Sequence, residues 1–286
     1  MRVAVIGSNG QLGSDVCAAF LRNGDEVAGL THSDMELTSA ASVDEVLTRH
    51  APEWIVNAAA MHHVEKCEEN PQEAFSTNAR GAKHVAEWAR RADATVAYIS
   101  TDYVFNGKKG APYVETDAAA PLNAYGITKL AGEHFTAAVA PKHFVLRVSA
   151  IYGHQPCRAK SGLNFVELML KLSRERDKLQ VVDDEFVTPT PTTQIAAQLV
   201  SLSRSNSYGL YHGTCESSCS WYEFASEIFR ATGTNVCLEK AAPGQFPAKV
   251  PRPKYSVLEN AALKAAGLSV FTDWRDGLQV YLATRV

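Results

Sequence analysis

The sequence predicts an α/β fold in which a parallel sheet is covered by helices on both faces. Short apolar runs rich in β-branched residues alternate with helical patterns along the chain, which is typical of successive βαβ units. The first run, residues 2–6, leads directly into a glycine-containing turn and a helical segment that ends near Gly24. With 286 residues, 46% of them hydrophobic, the chain is long enough for one large domain and a smaller one.

The turn after the first predicted strand has the composition of a phosphate-binding turn. It contains Gly7, Asn9, Gly10, Gln11, Leu12 and Gly13. Glycines at a strand-to-helix junction let backbone amides approach a pyrophosphate, which the helix N-terminus also attracts. We therefore predict a Rossmann-type doubly wound parallel sheet that binds a dinucleotide along residues 7–12. A tight turn without a ligand is the alternative interpretation.

The second predicted strand, residues 26–30, bears on the choice of dinucleotide. It ends at Thr31 and His32, with no carboxylate at its tip. An acid there would hold the ribose 2′-hydroxyl of NAD and repel the 2′-phosphate of NADP. Its absence favours NADPH or the use of both cofactors, although Asp34 and Glu36 follow closely. We expect NADPH or NADH to bind.

Small residues follow the third predicted strand, residues 54–56. Asn57, Ala58, Ala59 and Ala60 would let a flat cofactor lie against the backbone. We count them, together with Asn78 on the next helix and Ser100, among the cofactor-binding residues. His62 and His63 are adjacent in the chain, and adjacent side chains seldom converge on one metal. We expect them to line a pocket.

The stretch around Thr101 and the pair Tyr125 and Lys129 are the predicted catalytic residues. Thr101 follows the apolar run 95–99, which places its hydroxyl at the carboxyl edge of the sheet. Tyr125 and Lys129 lie four residues apart in a predicted helix, residues 124–139, and therefore share one face. We expect the ammonium to lower the tyrosine pKa from about 10, so that the phenol exchanges a proton near neutral pH. A chance helical pair is the alternative interpretation.

The same region resembles a known family. The matching residues are Ser100–Gly107, Pro112-Tyr113-x-Glu115-x-Asp117, Pro121-x-Asn123-x-Tyr125-Gly126-x-Thr128-Lys129-x-x-Gly132-Glu133 and Arg252-Pro253-x-x-Ser256-x-Leu258. They resemble the dTDP-4-dehydrorhamnose reductase branch of the extended short-chain dehydrogenase/reductases. With the glycine turn and residues 57–60, the resemblance covers nearly the whole chain.

The resemblance implies an activity and roles for particular residues. The reaction would be hydride transfer from NAD(P)H to the C4 keto group of a nucleotide-linked 6-deoxy sugar. Tyr125 would give the proton, Lys129 would hold the nicotinamide ribose, and Thr101 would hydrogen-bond the carbonyl. The substrate-binding residues would be Asp102, Val104, His62, Ala150 and Arg252, with Arg252 on the diphosphate.

Some positions depart from the family pattern on the substrate side. Ala150 stands where a tryptophan is usual, which removes a large aromatic wall. Met61 and His62 replace a His-Thr pair, and Val187-Thr188 stand in a turn that usually contains glycine. We infer that the identity of the sugar is not fixed by the resemblance.

The smaller domain is predicted to be a discontinuous α/β substrate domain. We assign residues 1–152 and 189–217 to the cofactor domain, and residues 153–188 and 218–286 to the substrate domain. The polar loop 154–162, with Arg158 and Lys160, is a lid, a phosphate-binding loop or a solvated loop. Capping boxes are predicted at Ser42 with Glu45, at Asn70 with Glu73 and at Ser220 with Glu223.

Composition argues against several other classes of protein. The net charge is −3 and basic clusters are short, so neither nucleic acid nor a membrane surface is an expected partner. The six cysteines are scattered, and Cys215 and Cys219 lack the second pair that a metal site needs. We read them as reduced thiols and expect a cytoplasmic protein without a metal, with a homodimer as one possible state. The start of the chain runs straight into a strand, unlike a signal peptide.

Two other functions are open at this point. An epimerase or dehydratase of the same superfamily would retain its cofactor through the cycle. Dehydratases need an acidic pair next to the catalytic strand, and here Asp102 is followed by Tyr103. A non-catalytic module similar to the regulatory subunit of methionine adenosyltransferase would keep much of the motif and act through a partner.

Overall fold

The computed structural model describes residues 1–156, 162–242 and 244–285. Its strands are β1 (Arg2–Ile6), β2 (Glu26–Leu30), β3 (Trp54–Asn57), β4 (Thr95–Thr101), β5 (His143–Val148), β6 (Ile151–Tyr152), β7 (Lys178–Val181), β8 (Phe186–Val187), β9 (Thr190–Pro191), β10 (Gly209–His212), β11 (Cys219–Ser220) and β12 (Cys237–Lys240). The predicted loop at Arg158 and Lys160 lies outside the described residues.

The helices follow the strands in the expected alternation. They are α1 (Gln11–Arg22), α2 (Ala40–His50), α3 (Val64–Glu69), α4 (Pro71–Phe75), α5 (Gly81–Arg91), α6 (Ala124–Val139), α7 (Phe165–Glu175), α8 (Thr192–Leu202), α9 (Trp221–Thr232), α10 (Ala261–Ala265) and α11 (Trp274–Ala283). A single π turn, Ser76–Arg80, joins α4 to α5.

The large sheet has six parallel strands in the order β10-β5-β4-β3-β1-β2. The chain first moves outward from β1 to β2 and then returns to place β3 on the other side of β1. Ligands of open α/β sheets bind at such a switch point, at the carboxyl ends of the strands. The predicted Rossmann-type sheet is therefore confirmed.

Two apolar layers cover this sheet. On one face, Val5 of the sheet packs in one cluster with Val16 of α1 and Leu199 of α8. On the other face, Ile55 of the sheet shares a cluster with Val85 of α5, and residues of α2 complete this layer. Both faces are covered, which explains why the strands are nearly continuous apolar runs without alternation.

The C-terminal half adds a separate apolar cluster. It contains Tyr152, Phe224 and Trp274, and three short strand pairs, β7 with β12, β8 with β11 and β6 with β9, lie nearby. However, Leu263 and Phe271 pack into the core of the large sheet. The assignment of all of 218–286 to a substrate domain stays a prediction.

The three predicted capping boxes have different outcomes. At α4 the prediction is wrong, because the side chain of the N-cap Asn70 makes no capping hydrogen bond. At α9 the Ser220 hydroxyl accepts from the Glu223 amide while Glu223 accepts from the Ser220 amide, so this box is confirmed. At α2 the prediction is wrong, because the cap is Ser39, whose side chain accepts from the Ser42 amide. The Ser42 hydroxyl instead accepts from the amide of Glu36 and holds the preceding loop.

A buried ion pair ties α6 to the sheet. Arg147 on β5 donates to both carboxylate oxygens of Glu133 on α6, at 2.9 and 2.7 Å. The two side chains are only 4% and 7% exposed. Ser100 on β4 donates its hydroxyl to the same carboxylate. The helix that carries Tyr125 is therefore fixed to β5 and to β4, the strand that ends at Thr101.

We expect Glu133→Ala to lower the free energy of unfolding by about 3–5 kcal/mol, because it leaves Arg147 buried without its partner. Equilibrium urea unfolding measures this loss. Glu87→Ala is the matched control, because the Glu87–Lys83 pair is about 40% exposed and its loss should cost less than about 1 kcal/mol. Similar losses in the two variants would contradict the assignment.

Candidate active site

A cavity of about 460 Å³ opens at the carboxyl edge of the large sheet. It extends from the glycine turn after β1 to the short strands of the C-terminal half. Fourteen predicted site residues line it, namely Gly7, Gly10, Gln11, Leu12, Ala58, Ala60, His62, Ser100, Thr101, Asp102, Tyr125, Lys129, Ala150 and Arg252. Residues expected to bind cofactor and residues expected to bind substrate thus share one cavity.

The glycine turn provides a close backbone approach at one end of the cavity. Gly7 has a φ of +82°, and a Cβ there would lie 3.0 Å from the Ala59 nitrogen. A Cβ at Gly13 would lie 2.1 Å from the Gly7 carbonyl oxygen. Helix α1 has no side-chain cap, because its N-cap is Gly10. Its first amides therefore remain available to an anion, which fits the pyrophosphate of a dinucleotide.

Thr101 and Tyr125 approach each other from different elements. Thr101 is the last residue of β4, and its hydroxyl donates to the Asp102 carboxylate at 3.0 Å. Helix α6 begins after Asn123, whose side chain accepts from the Gly126 amide at 2.9 Å and donates to the Pro251 carbonyl. This cap places Tyr125 in the first turn of α6, where it hydrogen-bonds to Thr101.

The protonation of the Tyr125–Lys129 pair differs from the prediction. Burial raises the pKa of the Tyr125 phenol above its usual value, although the hydrogen bond to Thr101 opposes this. Burial also lowers the pKa of Lys129 to about 7. The expected lowering of the tyrosine pKa is therefore wrong, because loss of hydration outweighs the neighbouring charge. Tyr125 is held as a neutral phenol, which can donate a proton.

Asp102 is the buried acid next to these groups. Burial raises the pKa of its carboxyl, while hydrogen bonds from Ser256, Ser149 and Thr101 oppose the shift. The Ser149 hydroxyl donates to it at 2.9 Å. Because Ser256 belongs to the motif that begins at Arg252, this carboxylate joins the catalytic strand to the far wall of the cavity.

Several predicted site residues lie outside the cavity lining, namely Asn9, Thr31, His32, Asn57, Ala59, Asn78 and Val104. The Asn78 side-chain amide accepts a hydrogen bond from the Met61 backbone amide and donates to the Met61 carbonyl and to the Thr128 hydroxyl. It therefore braces the loop after β3. Val104 is fully buried against Phe105 and Leu258, and its predicted contact with substrate stays a prediction. Thr31 and His32 lie just after β2, and their cofactor role stays a prediction.

Arg252 is held at the cavity by an acidic partner that the sequence reasoning missed. Its guanidinium pairs with Glu65, and Glu65 also lies 3.2 Å from His63 Nδ1. The Nε of Arg252 is buried without a hydrogen-bond partner among the described residues. It is therefore a donor available to a ligand in the cavity.

The substrate side contains further residues that sequence reasoning missed. Glu185, Trp221 and Phe165 line the cavity, and Trp221 hydrogen-bonds to Glu185. The rings of Phe165 and Trp221 lie 4.6 Å apart. The Phe186 amide donates a hydrogen bond to the Lys254 carbonyl at 2.7 Å. This bond joins the segment that carries Glu185 to the segment that carries Arg252. A local sequence pattern does not reveal such contacts.

Comparison with known proteins gives the family. The model of the RmlD substrate binding domain family matches residues 1–286. The chain belongs to this family. The chain is similar to the spore coat polysaccharide biosynthesis protein SpsK of Bacillus subtilis (strain 168), with 37% identity over 284 residues, which cover 99% of this chain and 98% of the relative.

Two further comparisons carry more specific descriptions. The dTDP-4-keto-6-deoxy-D-glucose reductase of Streptomyces niveus is 34% identical, over 97% of this chain and 95% of the relative. The crystal structure of dTDP-4-dehydrorhamnose reductase from Bacillus anthracis str. Ames in complex with NADP is 33% identical, with a TM-score of 0.93 over 99% of this chain and 98% of that chain. The resemblance to this branch is therefore confirmed.

Metal-ligating side chains, long apolar helices and cysteines would indicate other classes of site in the described part of this RmlD-family chain. Within it, no three His, Cys, Asp or Glu side chains are grouped so that they could hold a metal ion. None of the helices described there has the length and apolar character needed to cross a membrane. Cys17, Cys67, Cys215, Cys219 and Cys237 are free thiols, and Cys157 lies outside the described residues.

The lowered pKa of Lys129 predicts how stability depends on pH. The folded pKa is about 7, whereas an unfolded lysine titrates at about 10.4. Between these values the unfolded chain binds more protons, so wild-type stability rises with pH. Lys129→Met removes this term, and its stability advantage should be greatest below about pH 7 and shrink towards about pH 10.

Urea unfolding at several pH values across this window measures the difference between wild type and variant. Lys108→Met is the control, because Lys108 is exposed in the loop after β4. Its stability difference from wild type should stay constant over the same range. A constant difference for Lys129→Met would show that Lys129 keeps an ordinary pKa.

Proposed function

We propose that this protein is an NAD(P)H-dependent reductase of the C4 keto group of a nucleotide-linked 4-keto-6-deoxy sugar. The observation that carries the proposal is that Thr101, Tyr125 and Lys129 meet in one cavity with the glycine turn at one end and Arg252 at the other. Membership of the family makes the protein an NAD(P)-dependent oxidoreductase. The substrate of a protein in this family is a nucleotide sugar.

The chain supplies the proton and positions the carbonyl. NAD(P)H, when bound, supplies the hydride that reduces the C4 carbonyl carbon. Tyr125 donates its phenolic proton to the carbonyl oxygen, and its raised pKa keeps the phenol protonated at neutral pH before the transfer. Thr101 hydrogen-bonds the same oxygen and orients it. Lys129, as a cation, would hold the nicotinamide ribose and would stabilise the phenolate left after transfer.

The substrate side of the cavity accounts for the rest of the molecule. Arg252, with its buried unpartnered Nε, would bind the diphosphate by charge-assisted hydrogen bonds. Asp102, His62 and Ala150 line the part of the cavity that would hold the sugar. Ala150 leaves space that a tryptophan would fill, and Trp221 together with Phe165 supplies an aromatic wall from another direction.

Assembly and compartment are part of the same proposal. We place the protein in the cytoplasm, which is supported by the free thiols of the described chain. A homodimer is also proposed, and sedimentation would establish it. Neither feature is needed for the cavity, since all of the residues named above come from one chain.

The test of function is turnover of purified protein with NADPH and a panel of dTDP- and UDP-linked 4-keto-6-deoxy sugars. Oxidation of NADPH with formation of the 4-hydroxy sugar is expected. Binding of the nucleotide sugar without turnover would instead support the non-catalytic module. Interconversion of epimers without net NADPH consumption would support the epimerase.

Tyr125→Phe should reduce turnover about a hundredfold to ten-thousandfold, because it removes the proton donor and keeps the ring. Thermal unfolding and NADPH affinity should change little. Tyr103→Phe is the matched control, since it removes another phenol that lines the same cavity and should lose much less. If Tyr125→Phe kept more than about a tenth of wild-type turnover, His62 or His63 would become the candidate donor.

Lys129→Met should behave differently from Tyr125→Phe. It removes the ribose contact as well as the charge beside Tyr125, so affinity for NADPH should fall together with turnover. Titration of NADPH by fluorescence and steady-state kinetics measure the two effects separately. Unchanged NADPH affinity in this variant would exclude the ribose contact.

NADPH should support a kcat/KM at least equal to that with NADH, because β2 is followed by Thr31 and His32 and has no acid at its tip. The Asp34 carboxylate accepts hydrogen bonds from the Thr31 amide and hydroxyl, at 2.8 and 2.6 Å. It is therefore turned towards its own loop. Steady-state kinetics with both cofactors provide the measurement, and a strong NADH preference would prove the expectation wrong.

A further inference from the structure

The amine of Lys129 lies against an aromatic ring that the mechanism above does not use. Its Nζ is 4.0 Å from the centroid of the Tyr98 ring on β4. Lys129 and Tyr98 are 2% and 1% exposed. A cation is attracted to the face of an aromatic ring, and more strongly where water is excluded. We propose that Tyr98 is a positioning residue that holds the Lys129 side chain in place and in its charged form.

The ring of Tyr98 is fixed by contacts on every side. Its hydroxyl donates to the Asn78 carbonyl at 2.8 Å. The same oxygen lies 2.3 Å from the position that a Cβ at residue 132 would occupy, so Gly132 leaves room for it. Ala82 and Val145 pack against the ring. Because the ring cannot turn away, its face is always presented to the lysine.

The lysine needs such a contact because it is out of water. Burial lowers its pKa to about 7, and the charges that oppose this shift are those of Glu133 on α6 and Cys67 on α3. Tyr125, on the same face of α6, is held neutral by burial. The pKa of Cys67 is itself raised to about 11, so its thiol is uncharged near neutral pH.

Glu133 is the carboxylate among these neighbours, and it is already shared with other groups. Its carboxylate accepts from Arg147 through two atoms and from the Ser100 hydroxyl. The positive guanidinium offsets much of the negative field that would otherwise reach Lys129. The Tyr98 ring acts through its quadrupole, without a net charge, and among the described residues no second cation lies over its face. The ring is therefore the direct contact that favours the ammonium over the neutral amine.

The inference rests on the proposed function, in which the Lys129 cation is needed for catalysis. Removing the ring face should lower the Lys129 pKa and make the amine neutral at a lower pH. The alkaline limb of kcat/KM against pH should then move towards acid. A purely structural role for Tyr98 would instead reduce activity by the same factor at every pH.

A direct measurement of the Lys129 pKa tests the proposal without turnover. The 13C shift of the lysine ε-carbon is followed against pH in the full chain, and Lys129→Met assigns the signal. Tyr98→Phe keeps the ring face and loses only the hydroxyl, so its Lys129 pKa should match the wild type. Tyr98→Leu should lower that pKa by about one unit.

The pH profile of kcat/KM supplies the second readout. The alkaline limb should shift by about one unit in Tyr98→Leu and stay in place in Tyr98→Phe. An unchanged Lys129 pKa in Tyr98→Leu would overturn the proposal. A lowered Lys129 pKa in a protein that reduces no 4-keto sugar would uphold the contact and refute the proposed function, so the two failures are distinguishable.

A shape-conserving pair covers the case in which leucine prevents folding. Tyr98→pentafluorophenylalanine reverses the charge distribution of the ring with little change of volume, and Tyr98→Phe is its partner. Thermal melting confirms that both are folded. The fluorinated variant should have the lower Lys129 pKa of the two, and equal values would overturn the proposal.

Discussion

The hydrogen bonds that converge on the Glu133 carboxylate are the constraint on which the rest of the site depends. Arg147 and Ser100 reach this one group from β5 and β4, and Glu133 itself belongs to α6. Three elements are therefore joined within one buried contact. Thr101 follows Ser100, and Tyr125 lies two turns before Glu133 on the same helix. The spacing of the reacting groups thus follows from a buried contact that includes none of the three predicted catalytic residues.

Local patterns in the sequence were sufficient for the elements that position the cofactor side. The predicted ranges 2–6, 26–30 and 124–139 agree with β1, β2 and α6, because their apolar periodicity is set within a few residues. The box at Ser42 failed because a loop residue, Glu36, competes for the serine hydroxyl. The burial of Val104 could not be read from the sequence either, because the direction of a side chain after a strand depends on what packs against it, here Phe105 and Leu258.

The substrate side was less predictable for a different reason. Glu65, Glu185 and Trp221 line the same cavity although they come from distant parts of the chain. No hydrophobic periodicity or short sequence motif indicates that these three side chains lie close together. Burial likewise could not be read from the spacing of Tyr125 and Lys129, and it decides the direction of both pKa shifts. The motif indicated which groups react, and the three-dimensional packing determined which of them carries the proton.

The position of β10 has a consequence for the order in which the molecule is completed. This strand, Gly209–His212, pairs with residues 144–147 of β5 across a long intervening segment. Arg252 and Ser256 reach the cavity from still later in the chain. During synthesis the cofactor end can form first, while the wall opposite it waits for segments that leave the ribosome later. Such long loops close slowly, so a nascent chain exposes an unfinished pocket until the segment with Arg252 and Ser256 has been made.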